Sequence, residues 1–127
     1  MTTYRVDTAS DTPPSRQLVE AVLDAVARGA LAPGTKLLSV RALAAEALVN
    51  PNTAAKAYRD LEALGVLEGR NGLGVFVTEI GPTLARAARE RATLDSFRRA
   101  AAEALRAGHD AHALRAALRA LTQGAKR

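Results

Sequence analysis

The chain has no cysteine and no tryptophan, and only two phenylalanines, two tyrosines and one methionine. Without cysteine there can be no disulfide, thiol chemistry or cysteine-based metal site. Apolar residues make up 48% of the sequence, enough for a core, but alanine supplies much of that share. The predicted core is therefore thin and aliphatic, built by packing helices closely. No run of about 18 apolar residues occurs. The opening MTTYRVDTASDTPP lacks the apolar stretch of a signal sequence. A soluble, cytoplasmic protein with no membrane partner is expected. At 127 residues it suits one compact domain, or a small domain with an appendage.

Catalytic signatures are equally scarce. His109 and His112, the two histidines, stand three apart around Asp110 at a helix start, a pattern that fits surface residues better than a metal site. No Ser-His-Asp arrangement, phosphate loop or paired carboxylates can be picked out. No enzyme activity, cofactor or metal is predicted, and no residue cluster marks a pocket for a small-molecule effector.

Charge is unevenly spread. Residues 1–82 carry eight Lys/Arg against nine Asp/Glu, whereas residues 83–127 carry ten against four. The net +5 invites a nucleic-acid partner, but the total alone does not say which face would meet it.

Periodicity gives the elements. TYRVD (3–7) reads as a short strand or an extended arm. Pro13 and Pro14 then introduce a helix from about Ser15, with Leu18, Val19, Val22, Leu23 and Val26 inward and Gly29 at its end. Pro33-Gly34 marks a turn. Ser39 is the predicted N-cap of a short helix that turns Val40, Leu43, Ala44 and Leu48 inward. Asn50 caps a third helix, with Pro51 at its first position and Gly65 closing it after Leu64. Val66-Leu67 and Val75-Phe76-Val77 flank GRNGLG and predict a β-hairpin. Gly81-Pro82 marks a boundary. Beyond it lie two helices, roughly 83–107 and one that Asp110 caps, separated by Gly108. Leu84, Ala87, Ala88, Leu94, Phe97, Ala101 and Leu105 line the first; Leu114, Ala117, Leu118 and Leu121 are expected to be buried in the second.

The third helix poses the functional question. Ala54, Ala57, Tyr58, Leu61 and Leu64 form its apolar side, leaving Asn52, Ala55, Lys56 and Arg59 opposite. Two helices joined by a tight turn and followed by a hairpin make a winged helix-turn-helix. In that geometry the third helix enters the DNA major groove with its N-terminus leading. Asn52 can then offer its amide to adenine, Lys56 and Arg59 reach guanine or phosphate, and Ala55 lets the backbone approach. The same spacing also fits a plain solvated helix face. Ser39 and Arg41 form a second candidate pair, because a phosphate would offset the unfavourable placement of a cation in a first helical turn. Arg70, Asn71, Gly72 and Gly74 make a candidate wing tip, although an ordinary hairpin needs the Asn-Gly as well.

PGTKLLSVRALAAEALVNPNTAAKAYRDLEALGVLEGRNGLGVFV resembles the N-terminal DNA-binding domain of GntR-family transcriptional regulators. VNPNT..KAY..LE..G is similar to the YtrA subfamily in particular. The resemblance spans roughly residues 12–78. It departs at Leu38, where the family usually has proline, at Ala54, usually β-branched, and at Lys56, usually arginine. The last change leaves a point charge where a bidentate fork would stand. The resemblance implies that Arg41, Asn50, Asn52, Thr53, Lys56 and the wing around Asn71-Gly72 face double-stranded DNA. It further implies a dimeric regulator, often encoded beside transporter genes, with a short two-helix tail for dimerisation.

The expectation is thus a mainly α (α+β) protein: a winged helix-turn-helix over residues 1–79 and a helical dimerisation region over 83–123. Two alanine-rich helices have little of their own to pack on. Pairing with a second copy would cover Leu94, Phe97, Leu105, Leu114, Leu118 and Leu121; the alternative is a tail folded back on its own domain. The expected function is a homodimeric repressor at an inverted-repeat operator, reading DNA through Ser39, Arg41, Asn50, Asn52, Thr53, Lys56, Arg59, Arg70, Asn71 and Gly72. A competing class is a winged-helix adapter that binds a protein instead of DNA, in keeping with the balanced charge of residues 1–82.

Overall fold

The computed structural model describes residues 4–125. In order these form α1 (Pro14–Ala27), α2 (Val40–Ala47), α3 (Pro51–Ala63), β1 (Leu67–Arg70), β2 (Gly74–Val77), α4 (Gly81–Arg106) and α5 (Ala111–Ala125). The chain divides between Glu90 and Arg91 into two compact units.

Local chemistry sets the boundaries in the first unit. Pro14 starts α1, where its missing N–H leaves nothing unsatisfied. Ser39 Oγ accepts from the Ala42 N–H at 3.1 Å to open α2, and Asn50 Oδ1 accepts from the Asn52 N–H at 2.7 Å to open α3. Gly65, at φ +81, carries the chain out of α3 in the left-handed region, which a side chain would strain. Leu18, Val22, Val26, Leu43, Leu61, Val66, Leu67 and Val77 are fully buried in one cluster.

The arm at the start has no strand pairing: Tyr4–Asp7 run outside any regular element. Tyr4 is nonetheless buried in the main cluster. Gln17 fastens the segment by accepting from the Asp7 N–H at 2.8 Å and donating to the Asp7 and Thr12 carbonyls at 3.0 and 2.8 Å.

Leu48 departs from the expected inward position. It is 90% exposed, because it occupies the left-handed region at φ 58, ψ 47 as the C-cap of α2. Once the chain leaves helical geometry there, the three-and-four spacing no longer predicts a direction. Val49 packs against the core in its place.

The hairpin is antiparallel, with Leu67 opposite Val77 and Arg70 opposite Gly74. Residues 34–37 add a third strand-like edge on β2. The Leu37 N–H donates to the Val75 carbonyl at 2.8 Å, the Val77 N–H to the Thr35 carbonyl at 3.0 Å, and the Gly34 N–H to the Val77 carbonyl at 2.9 Å. The start of α4 also belongs to this core, through buried Ala85 and the half-buried Leu84 and Ala88.

In the second unit Gly108, at φ +107, ends the passage out of α4, and Asp110 Oδ1 accepts from the Ala113 N–H at 2.8 Å to cap α5. Leu114 is half-buried, whereas Ala117, Leu118 and Leu121 are exposed. The expected burial of those three is not met within one chain, because α4 turns the small side chains of Ala100, Ala101 and Ala104 toward α5 and covers little. No helix among the described residues is long and apolar enough to cross a membrane.

Candidate nucleic-acid interface

α2 and α3 are joined by three residues, and the hairpin follows α3 directly; these elements compose a winged helix-turn-helix. The apolar side of α3 faces inward: Ala54, Ala57, Tyr58 and Leu61 are buried. Asn52, Lys56 and Arg59 are exposed on the other side, with Thr53 and Ala55 half-buried beside them. The face singled out from the sequence is therefore outward and reachable.

The remaining sequence-predicted residues separate by how their side chains are engaged. The side-chain oxygens of Ser39 and Asn50 accept the capping hydrogen bonds of α2 and α3, so they shape the helix ends rather than stand free. Arg41 is exposed in the first turn of α2, and neither it nor Arg59 joins an ion pair among the described residues. Lys56 Nζ lies 3.0 Å from Asp60 Oδ2. Arg70 Nη2 lies 2.8 Å from Glu68 Oε1, and its guanidinium stacks over the Phe76 ring at 4.4 Å. Asn71 and Gly72 are exposed in the tight turn between the strands, where Gly72 takes φ +73. His109 and His112 are both exposed near the α4–α5 junction.

Sequence reading missed two contributors. Lys36, on the edge segment, runs its aliphatic stem across Gly74: a Cβ there would stand 2.8 Å from Lys36 Cε. Only the strand pairing reveals that closeness. Tyr58, counted as an apolar residue, also carries a hydroxyl that donates to the Leu38 carbonyl at 2.6 Å. This bond ties α3 to the residue just before the α2 cap, and so fixes Ser39 and Arg41 relative to the exposed face of α3.

Burial, more than the nearby Tyr4 and Glu46, holds the Tyr58 hydroxyl protonated well above its ordinary value of 10.0. A group whose pKa is raised by folding keeps its full contribution below the unfolded value and loses it as pH climbs toward the folded one. Stability from this tyrosine is thus intact below pH 10 and declines only in stronger alkali. A Tyr58→Phe variant is expected to lose about 0.5–1.5 kcal/mol, the net worth of one such hydrogen bond, read as a lower urea midpoint at neutral pH with an unchanged slope.

Comparison with known proteins agrees with this architecture. The family described as "Bacterial regulatory proteins, gntR family" matches residues 14–77. The chain is 44% identical over 89 residues to the HTH-type transcriptional regulator Rv1152 of Mycobacterium tuberculosis, covering 68% of this chain and 74% of that one. It is 38% identical over 79 residues to the HTH-type transcriptional repressor YtrA of Bacillus subtilis, covering 62% and 61%. Among solved structures, AraR(DBD) in complex with operator ORE1 is similar at a TM-score of 0.52 and 26% identity, covering 57% of this chain and 89% of that one. The fold and these likenesses define a winged-helix transcriptional regulator with a DNA-binding domain. The chain belongs to the gntR family.

Proposed function

We propose that this protein is a homodimeric, sequence-specific repressor acting in the cytoplasm at an inverted-repeat operator, with transporter genes among its targets. In this reading residues 1–79 bind DNA and residues 83–123 dimerise. Asn52 and its neighbours on α3 read base edges, Arg41, Lys56, Arg59 and Arg70 contact phosphate or guanine, and Ser39, Asn50, Thr53, Asn71 and Gly72 bring helix ends and wing to the backbone. The observation that carries it is the outward α3 face, with Asn52, Lys56 and Arg59 all exposed. The repressor role follows the name of the YtrA relative.

Dimerisation is supported by the tail's uncovered apolar surface. Leu94, Phe97, Leu105, Leu118 and Leu121 are between 44% and 73% exposed. Phe97, Ala101, Leu114 and Leu118 line an apolar groove of about 200 Å³ between α4 and α5. A patch of this kind calls for a partner. A second copy supplies a matching surface by two-fold symmetry and sets two reading heads for paired half-sites.

The test is a gel-shift titration of the full chain on the duplex upstream of its own gene, beside a random duplex, at two salt concentrations. Preference for the upstream duplex and weakening with salt are expected; equal binding defeats the operator reading. Light scattering should give twice the chain mass, and Leu118→Asp should halve it while the winged unit keeps its helical signal. No DNA affinity at low salt, with a stoichiometric protein captured instead, selects the adapter reading.

A further inference from the structure

Two of the four cations proposed to meet DNA are already occupied. Lys56 is paired with Asp60 at 3.0 Å along α3, and Arg70 with Glu68 at 2.8 Å along β1. Each partner is roughly half exposed, with side-chain accessibilities of 57% and 47% for Lys56 and Asp60, and 48% and 47% for Arg70 and Glu68. Both acids are therefore reachable from solvent. The Glu68–Arg70 contact is doubled, since Arg70 Nε also donates to Glu68 Oε1 at 3.2 Å. Stacking on Phe76, which faces Glu68 across the hairpin, holds the guanidinium in that geometry.

Resting on the DNA-binding reading, we propose that Asp60 and Glu68 are internal stand-ins for DNA phosphate. A carboxylate oxygen presents the same anionic acceptor to lysine and arginine as a phosphate oxygen does. Before DNA arrives, these carboxylates neutralise Lys56 and Arg70. On close docking each cation must exchange its carboxylate for the duplex, so every encounter carries an exchange penalty, whatever the sequence. Arg41 and Arg59, outside any ion pair among the described residues, carry no such penalty. The arrangement lowers affinity for bulk DNA and leaves the cations pre-aimed.

The experiment measures affinity of the full chain for a random duplex and for its own upstream duplex. Asp60→Asn and Glu68→Gln should each tighten binding to both by about twofold to fivefold, the scale of an exposed ion pair, with the salt slope little changed, because the same cations meet the same phosphates in parent and variant. The Asp60→Asn gain should vanish in a Lys56→Met background, and the Glu68→Gln gain in an Arg70→Met background. A gain that persists undiminished in those backgrounds means the acids merely repel phosphate, and overturns the proposal, as does no gain at all. Thermal melts should move little, since exposed ion pairs contribute little to stability. Failure of the unaltered chain to bind any duplex is a distinct result, visible before any variant is compared. It removes the DNA-binding reading and this inference with it.

Discussion

Replacing Arg41 and Arg59 together with alanine should weaken binding to the upstream duplex roughly a hundredfold, each DNA-contacting arginine being worth about 1–3 kcal/mol and each 1.4 kcal/mol a factor of ten. These two are chosen because neither holds an ion pair among the described residues. Their removal therefore leaves no partner stranded. Both are exposed, so the melting curve should stay in place while an anisotropy titration shifts. If the double variant instead melts early and binds normally once folded, the arginines support structure and the interface lies elsewhere.

Leu61→Ala should produce a large loss of stability. Leu61 is fully buried on α3 within the main cluster. Truncating such a residue costs about 2–5 kcal/mol through lost transfer energy and the cavity left behind. Against a total stability of about 5–15 kcal/mol for a domain, that removes a third or more in many cases. Denaturant titration should show a sharply lower midpoint. Leu64→Ala, three residues on and 41% exposed, serves as its control and should stay within about 0.5 kcal/mol of the parent. Equal losses at both positions would mean that α3 packs by a different side.

Much of this molecule was legible in its sequence because the signals were local. The Ser39 and Asn50 caps, the exit at Gly65, the break at Gly108 and the Asp110 cap depend on a few neighbouring residues, and each appears where the pattern placed it. The α3 stripe was readable for the same reason. Leu48 escapes the three-and-four spacing because it lies one residue past the end of α2, in the left-handed region. The strand-like edge at residues 34–37 could not be seen, since its partner lies some forty positions away and its own four residues show no alternation. The Lys56–Asp60 pair was available from its four-residue spacing. Glu68–Arg70 needed the strand geometry, and the Tyr58 hydroxyl was hidden inside an apolar stripe.

That hydroxyl has a consequence for how freely the two helices can shift against each other. The phenolic tether to the Leu38 carbonyl, added to the shared core of α2 and α3, couples the start of α2 to α3. Tilting the helix to suit a new sequence would break the tether. Substitutions among the outward side chains of α3 leave that frame untouched.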